Sequence, residues 1–412
     1  MSDSTELHSN TAVLTRGFDP RLSVGSARPA VFRSSTYVFE SPEEAERAFA
    51  VTHGQVPAQP NKRADLIYAR ISHPNAEILE DHLVPLEAGA TAALAFNSGM
   101  AAIMTAFFTF ARSHSSIIYT MPLYGGTTAL IHTFLEPLSV TGIPVPAGDT
   151  AAITEAIASA NNPCIVLVET PANPTLIMTG IKSAARAAKR HASKPIVMVD
   201  NTFLGPVFQH PLKLGADLVL YSATKYLSGF SDLVAGAAIS NDPALIERMR
   251  SRRTMFGNIL QPDECWMLDG RLPTISLRMN RQSKNAQRIA EKLCGRPAIR
   301  RVIYPTLFTD PEQQHIYKEQ CDYPGGLFSI DFHGGKPAAF EFLRNLKIAR
   351  NAVSLGGVET LACHPRTTTH SGDSKDELDR AGVTDGLVRV SVGIEDWRDL
   401  LADFDQALDA AK

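Results

Sequence analysis

Between residues 92 and 239 the chain repeats one pattern, a short apolar run that stops abruptly at polar or small residues. The runs span 92–96, 116–119, 164–168, 195–199, 217–221 and 234–239, and each is rich in Val, Ile, Leu or Ala. A strand with one wet face alternates in polarity. These do not, so they read as strands of a mostly parallel sheet covered by helices on both sides. Helical stretches at 150–161 and 181–192 supply the crossovers that parallel strands require. The fold class is therefore α/β.

Flanking segments read differently. Residues 1–64 form an irregular N-terminal arm punctuated by Pro20, Pro29, Pro42, Pro57 and Pro60. Its one helix, 43–50, is N-capped by Ser41 and opened by Pro42. An arm wrapped on a neighbouring subunit and a loose tail both fit that composition. The α/β domain runs over 65–270. A long helical stretch, 263–293, leads into a smaller α+β domain over 271–412, with strands at 326–332 and 387–392 and helices at 337–346 and 396–411.

Charge and cysteine content narrow the classes. Forty Lys and Arg stand against 43 Asp and Glu in 412 residues, a net charge of −3. That excludes a generally basic nucleic-acid coat and gives no attraction to a membrane surface. A local basic site remains open, and Arg252-Arg253 is one place to follow. Five scattered cysteines without a CxxC pair suggest neither a disulfide framework nor a zinc ribbon, and no metal site is expected. The start, Met1-Ser2-Asp3-Ser4-Thr5-Glu6, lacks the basic and apolar regions of a signal peptide. The uncharged stretch 88–111 is interrupted by Asn97-Ser98-Gly99 and reads as strand, turn and buried helix. The expectation is a soluble, cytoplasmic protein.

In open α/β sheets ligands bind outside the carboxyl ends of the strands. Three of the runs end in chemistry. After 92–96 comes Asn97-Ser98-Gly99-Met100, opening a helix. After 195–199 comes Asp200-Asn201-Thr202, and after 217–221 comes Ser222-Ala223-Thr224-Lys225. Singly, each has an ordinary structural explanation: a helix cap, a solvated lysine, a tight turn. Together they ask for one ligand. The helix start at Gly99-Met100 and the hydroxyls of Ser222 and Thr224 suit a phosphate. Asp200 suits a protonated ring nitrogen, and Lys225 suits condensation with a carbonyl. No GxGxxG or GxxxxGK[ST] loop competes for the phosphate. Pyridoxal 5′-phosphate (PLP) is the common cofactor that uses all three.

Lys225 stands 25 residues beyond Asp200, and Ser222-Ala223-Thr224-Lys225-Tyr226-Leu227-Ser228-Gly229 closely resembles the cofactor-lysine signature of the Cys/Met-metabolism PLP enzymes. That group includes cystathionine γ-synthase, cystathionine γ-lyase, methionine γ-lyase and O-acetylhomoserine sulfhydrylase. Further matches follow in order: Tyr68 and Arg70, Ser98-Gly99-Met100, Tyr124-Gly125-Gly126-Thr127, Glu169-Thr170-Pro171-Ala172-Asn173-Pro174, Ser354-Leu355-Gly356-Gly357, and Asp385 through Gly393.

The resemblance implies a PLP-dependent transferase of fold type I, with a seven-stranded sheet. It implies that Tyr124 stacks on the cofactor ring and moves protons near Cγ, and that Asn173 and Ser354 touch ring and carboxylate. Arg389 resembles the clamp for the substrate α-carboxylate, with a buried structural ion pair as its rival. Tyr68 and Arg70 resemble the pair that reaches the neighbouring subunit's phosphate, which implies a homo-oligomer, a dimer of dimers with shared active sites. The implied reaction is γ-elimination on an L-amino acid carrying a leaving group at Cγ, methionine-like or another homoserine derivative. Two alternatives stay open: γ-replacement, as in a sulfhydrylase or cystathionine γ-synthase, and a γ-lyase for a guanidinooxy substrate such as canavanine. The Tyr124-Gly125 and Ser354-Leu355-Gly356 matches speak against an aminotransferase or decarboxylase. Intact Asp200, Lys225 and Arg389 speak against a silent scaffold.

Several positions depart from the family pattern. Phe230 stands where His or Gln is usual, Tyr221 where many members have His, and 71–74 and 307–323 diverge. Gly126 replaces a cysteine typical of methionine γ-lyases, and Arg253-Thr254 replaces a Lys-Asp pair. Val353 replaces a glutamate that meets the distal amino-acid head of cystathionine. Val353 thus argues against cystathionine as substrate, and Gly126 is expected to leave room beside the γ-leaving group.

Overall fold

The computed structural model describes residues 7–57 and 66–410. The start Met1–Glu6, Pro60, the expected boundary at 64/65 and the helix end at Ala411 lie outside the described residues. Seven strands form the main sheet: β1 (Ala92–Phe96), β2 (Ser116–Met121), β3 (Thr141–Pro146), β4 (Pro163–Glu169), β5 (Ile196–Asp200), β6 (Leu218–Ser222) and β7 (Gly236–Ser240). Their order is β1-β7-β6-β5-β4-β2-β3. The pairs among β2 to β6 are parallel, while β7 runs antiparallel between β1 and β6.

Six of these strands coincide with the apolar runs. The seventh, β3, has the sequence Thr-Gly-Ile-Pro-Val-Pro and is an edge strand, half-wet where the opposite edge β1 is buried. Proline lacks the N–H for a second ladder, so it is confined to edges, and a half-wet edge strand carries no continuous apolar run. Helices Gly99–Phe110, Thr150–Ser159, Ile181–Arg190 and Pro243–Phe256 flank the sheet. Ile117, Leu167, Met198 and Leu220 face one apolar core, and Ile118, Val166, Val197 and Val199 another. Strands β2, β4 and β5 contribute to both, while β1, β6 and β7 turn their other face to a third core that holds Ala95, Val219, Tyr221 and Ile239, which is why each run is apolar throughout.

The second sheet holds β8 (Ile299–Ile303), β9 (Leu327–Phe332), β10 (Arg350–Asn351), β11 (Leu361–Cys363) and β12 (Leu387–Ser391), in the order β10-β11-β12-β9-β8. Its central strands are the two visible in the sequence. The flanking β8 and β10 are short and partly exposed, with arginines on the surface. Helices Gly335–Asn345 and Trp397–Ala410 close a core around Phe328, Phe342 and Phe404.

Three expectations need correction. The stretch 263–293 is two helices, Pro262–Asp269 and Ile275–Leu293, separated at Gly270 and a 3₁₀ turn containing Pro273. Proline in a helix interior removes a donor and clashes with the preceding turn. The arm is also less irregular than its prolines suggest. Ser9–Thr15 is helical and buries Val13, Pro20–Ser23 is a 3₁₀ turn capped by Asp19, and Pro42–Thr52 is the helix capped by Ser41. Nor is all of the arm loose: Trp266 Nε1 donates to Pro29 O at 2.8 Å, and Asn75 is bonded to Ala30 and Phe32.

Candidate active site

The carboxyl ends of β1, β4, β5 and β6 open into a cavity of about 340 Å³, closed on the far side by residues 353–355 and by Arg389 of β12. Ser98 ends the turn after β1. Its hydroxyl accepts from the Ala101 N–H at 3.0 Å and caps the helix Gly99–Phe110, whose first N–H groups have no intrahelical acceptor. A β-carbon on Gly99 would lie 3.0 Å from Ser222 Cα, so the helix start approaches β6 this closely because residue 99 is glycine. Ser222 and Thr224 flank the same end, with the Thr224 hydroxyl bonded to the backbone of Ala235.

Asp200, the last residue of β5, accepts from the hydroxyl and the N–H of Thr202 at 2.6 and 3.1 Å. Burial pushes its carboxyl up, and the Thr202 bonds oppose that. Lys225 follows β6, and its Nζ donates to Ser354 Oγ at 3.0 Å. Burial, and then the charge of Arg389, push the Lys225 ammonium down, which favours the neutral, nucleophilic amine.

Arg389 is buried in the middle of the small sheet. Its Nη1 donates to Asn173 Oδ1 at 2.9 Å and its Nη2 to Ser354 O at 2.8 Å, leaving Nε without a partner. Among the described residues no carboxylate pairs with it, so the structural ion pair that rivals the clamp reading is not there. Ser354, which touches both Arg389 and Lys225, has φ 99°, a region that costs a side-chain-bearing residue energy and clusters at functional sites.

Tyr124 lines the cavity mouth and is half exposed. Behind it lies a second cavity of about 440 Å³ bordered by Gly125, Gly126, His132, Thr369 and Asp373. Gly126 borders this second space, which shares Tyr124 and Thr369 with the first. A β-carbon at 126 would lie 2.7 Å from Tyr124 Cε1 and 3.0 Å from Met100 Sδ. The missing side chain is replaced by the tyrosine ring itself.

The cavity gathers Ser98, Gly99, Met100, Tyr124, Asn173, Asp200, Ser222, Thr224, Lys225, Val353, Ser354 and Arg389 in one chamber. Tyr68 and Arg70 lie outside it. Both are solvent-facing, the Arg70 guanidinium sits 5.8 Å over the Tyr68 ring, and Nη1 donates to Thr254 O. Arg253 is no surface basic site: it is buried and paired with Glu80 at 2.7 Å. Phe230 packs under Arg271 and Arg278, at 5.0 and 5.7 Å. Tyr221 is buried beneath the site, donating to Glu87 at 2.9 Å and accepting from Asn201.

The sequence assigned no role to Glu169, Thr202, Phe203 or Val234, which line the cavity together with Thr369. Glu169 is the last residue of β4, in register with Asp200. Burial and the Asp200 charge push its carboxyl up to about 8. Thr202 had a signal in the hydroxyl two residues after an aspartate. Phe203 and Val234 had none. Among the described residues no group of three metal-ligating side chains occurs, and no helix is long and apolar enough to cross a membrane.

The chamber fits PLP. It offers a helix start with flanking hydroxyls for the phosphate, a carboxylate for the ring nitrogen, a desolvated amine, and a buried guanidinium with no carboxylate partner among the described residues. Residues 10–409 match the sequence profile of the Cys/Met metabolism PLP-dependent enzymes. The L-methionine gamma-lyase of Pseudomonas putida is 37% identical over 403 residues, covering 97% of both chains. The cystathionine gamma-synthase of Mycobacterium leprae is 36% identical over 398 residues, covering 97% of this chain and 96% of its own. The crystal structure of the cystathionine gamma synthase of Xanthomonas oryzae pv. oryzae in complex with cystathionine superimposes with a TM-score of 0.89 at 31% identity, over 99% of each chain. Chemistry of the chamber, fold and full-length similarity agree: the chain belongs to the Cys/Met metabolism PLP-dependent enzyme family.

Proposed function

We propose that this enzyme catalyses γ-elimination on an L-amino acid with a leaving group at Cγ. The observation that carries the reading is Arg389, a buried guanidinium that no carboxylate of the described residues pairs, in the same chamber as the desolvated Lys225 amine. Such a guanidinium suits an α-carboxylate, held bidentately. Bound in this chamber, PLP supplies an electron sink next to Cα.

The protein's own groups do the rest. The helix start at Ser98, Gly99 and Met100, with Ser222 and Thr224, holds the phosphate. Asp200 keeps a proton on the ring nitrogen, oriented by Thr202. Arg389, Asn173 and Ser354 hold the α-carboxylate. The Lys225 amine takes the proton from Cα, and Tyr124 moves a proton at the γ-substituent. The Cγ–X bond breaks with its electrons on X, protons leave Cα and Cβ, and water replaces the amine. The products are a 2-oxo acid, ammonia and HX.

Tyr68 and Arg70, outside the chamber of their own chain, reach the phosphate of a neighbouring subunit. The enzyme is then a homo-oligomer, a dimer of dimers, acting in the cytoplasm on a small amino acid. Val353, which lines the chamber and is half exposed, gives no anchor for a distal amino-acid head. γ-Replacement is the second reading, favoured by the relative named cystathionine gamma-synthase.

The test is a product assay with L-methionine, L-cystathionine, O-acetyl-L-homoserine and L-canavanine, with and without added thiol. Elimination gives equal 2-oxo acid and ammonia without thiol. Turnover only with thiol would contradict it, and a strong preference for cystathionine would overturn the argument from Val353.

A further inference from the structure

Glu169 carries an unassigned role. Its side chain is buried at the floor of the chamber, and among the described residues no cation pairs with it. Its two oxygens do different jobs. Oε2 accepts from the Tyr124 N–H at 2.9 Å, and Oε1 accepts from the Asn173 N–H at 3.1 Å. Its own N–H is tied to Thr120 Oγ1 at 3.0 Å, which fixes it to the neighbouring strand β2.

The two N–H groups belong to separate loops. Tyr124 precedes the short helix Gly125–Leu130 and makes no side-chain cap of its own. Asn173 passes the constraint on, because its Oδ1 receives Arg389 Nη1 and its carbonyl oxygen contacts His370 Nε2 at 3.1 Å. A misplacement of about 1 Å in such groups is enough to cost around a hundredfold in rate. We infer that Glu169 is a positioning residue whose single carboxyl group sets the Tyr124 loop and the Asn173–Arg389 clamp to one common reference. This rests on the elimination reading only for the role given to Tyr124; the clamp stands without it.

A carboxyl group, ionised or protonated, presents an oxygen lone pair to each of the two N–H groups, which an amide cannot do. In E169Q the amide keeps one acceptor and turns an N–H₂ donor against the other backbone N–H. E169D keeps both oxygens and draws them back by one methylene. The experiment uses the PLP-loaded enzyme and three readouts. Amide hydrogen exchange in peptides containing Tyr124 and Asn173 should quicken at least tenfold in E169Q and stay unchanged elsewhere in the main sheet. Titration with L-norleucine, which lacks a γ-leaving group, followed by the cofactor's visible spectrum, should weaken at least tenfold. That weakening should shrink to under threefold in an N173A background, where the link to Arg389 is already cut. The kcat for 2-oxo acid release should fall at least tenfold in both backgrounds.

Unchanged exchange at both loops, or a norleucine loss as large with N173A as without it, would overturn the inference. So would failure of both E169Q and E169D to hold PLP, which would assign Glu169 to the fold. If the unaltered enzyme binds norleucine but releases no 2-oxo acid, the elimination reading fails while exchange and titration still decide for Glu169.

Discussion

Arg389 Nη1 donates to Asn173 Oδ1 at 2.9 Å, and this neutral amide takes the place a structural carboxylate would fill. The guanidinium is thereby oriented without being neutralised. Its second arm is fixed by the Ser354 carbonyl, so its full charge is left for a ligand in the chamber.

Replacing Arg389 by Lys keeps the charge and loses the fork. Charge-assisted hydrogen bonds contribute about 1.5–3 kcal/mol each, so KM should rise roughly ten- to a hundredfold while kcat changes less. Steady-state kinetics on the best substrate of the panel checks this, and an unchanged KM would detach Arg389 from the substrate.

Gly126→Ala should push on Tyr124, because the new β-carbon meets Cε1 at 2.7 Å. We expect kcat to fall on the order of tenfold through misplacement of the ring, with PLP retained. Equal kcat in both proteins would mean that the ring moves aside freely.

Glu87 predicts a pH effect on stability. Its side chain is fully buried and bonded to Tyr221; Lys213 is the cation that acts on it, while burial pushes the nearby His210 imidazole, 3.9 Å away, toward its neutral form. Burial pushes its pKa from 4.5 up to about 8. Between those values the folded chain holds a proton that the unfolded chain has released. The contribution is full below 4.5 and fades as pH rises through about 8, at about 1.4 kcal/mol per pH unit for this one group. Glu87→Gln removes that slope. Urea unfolding of both proteins between about pH 5 and 8 should show their difference changing with pH; parallel lines would contradict the assignment.

How much of this was legible in the sequence follows from the physics of each element. Six strands, edge strand β1 among them, were visible because burial on both faces demands unbroken apolar runs. Edge strand β3 was not, since Gly142, Pro144 and Pro146 belong to an edge and read as a loop. Lys225 and Asp200 were legible because strand ends project their next residues into the crevice. Glu169 was passed over despite sitting at such an end, since its meaning lies in two backbone N–H groups from distant loops. At Gly126 the sequence shows a missing side chain but not the ring beside it: a β-carbon there would meet Tyr124 Cε1 at 2.7 Å.

The account depends most on Lys225 being the residue that holds the cofactor. Borohydride reduction of the PLP-loaded enzyme, then proteolysis and peptide mapping, reads this directly. The account predicts one pyridoxyl group per chain, on Lys225, and a Lys225→Ala protein that takes no label and makes no 2-oxo acid. A label on another lysine, or full labelling of the Ala variant, would contradict it.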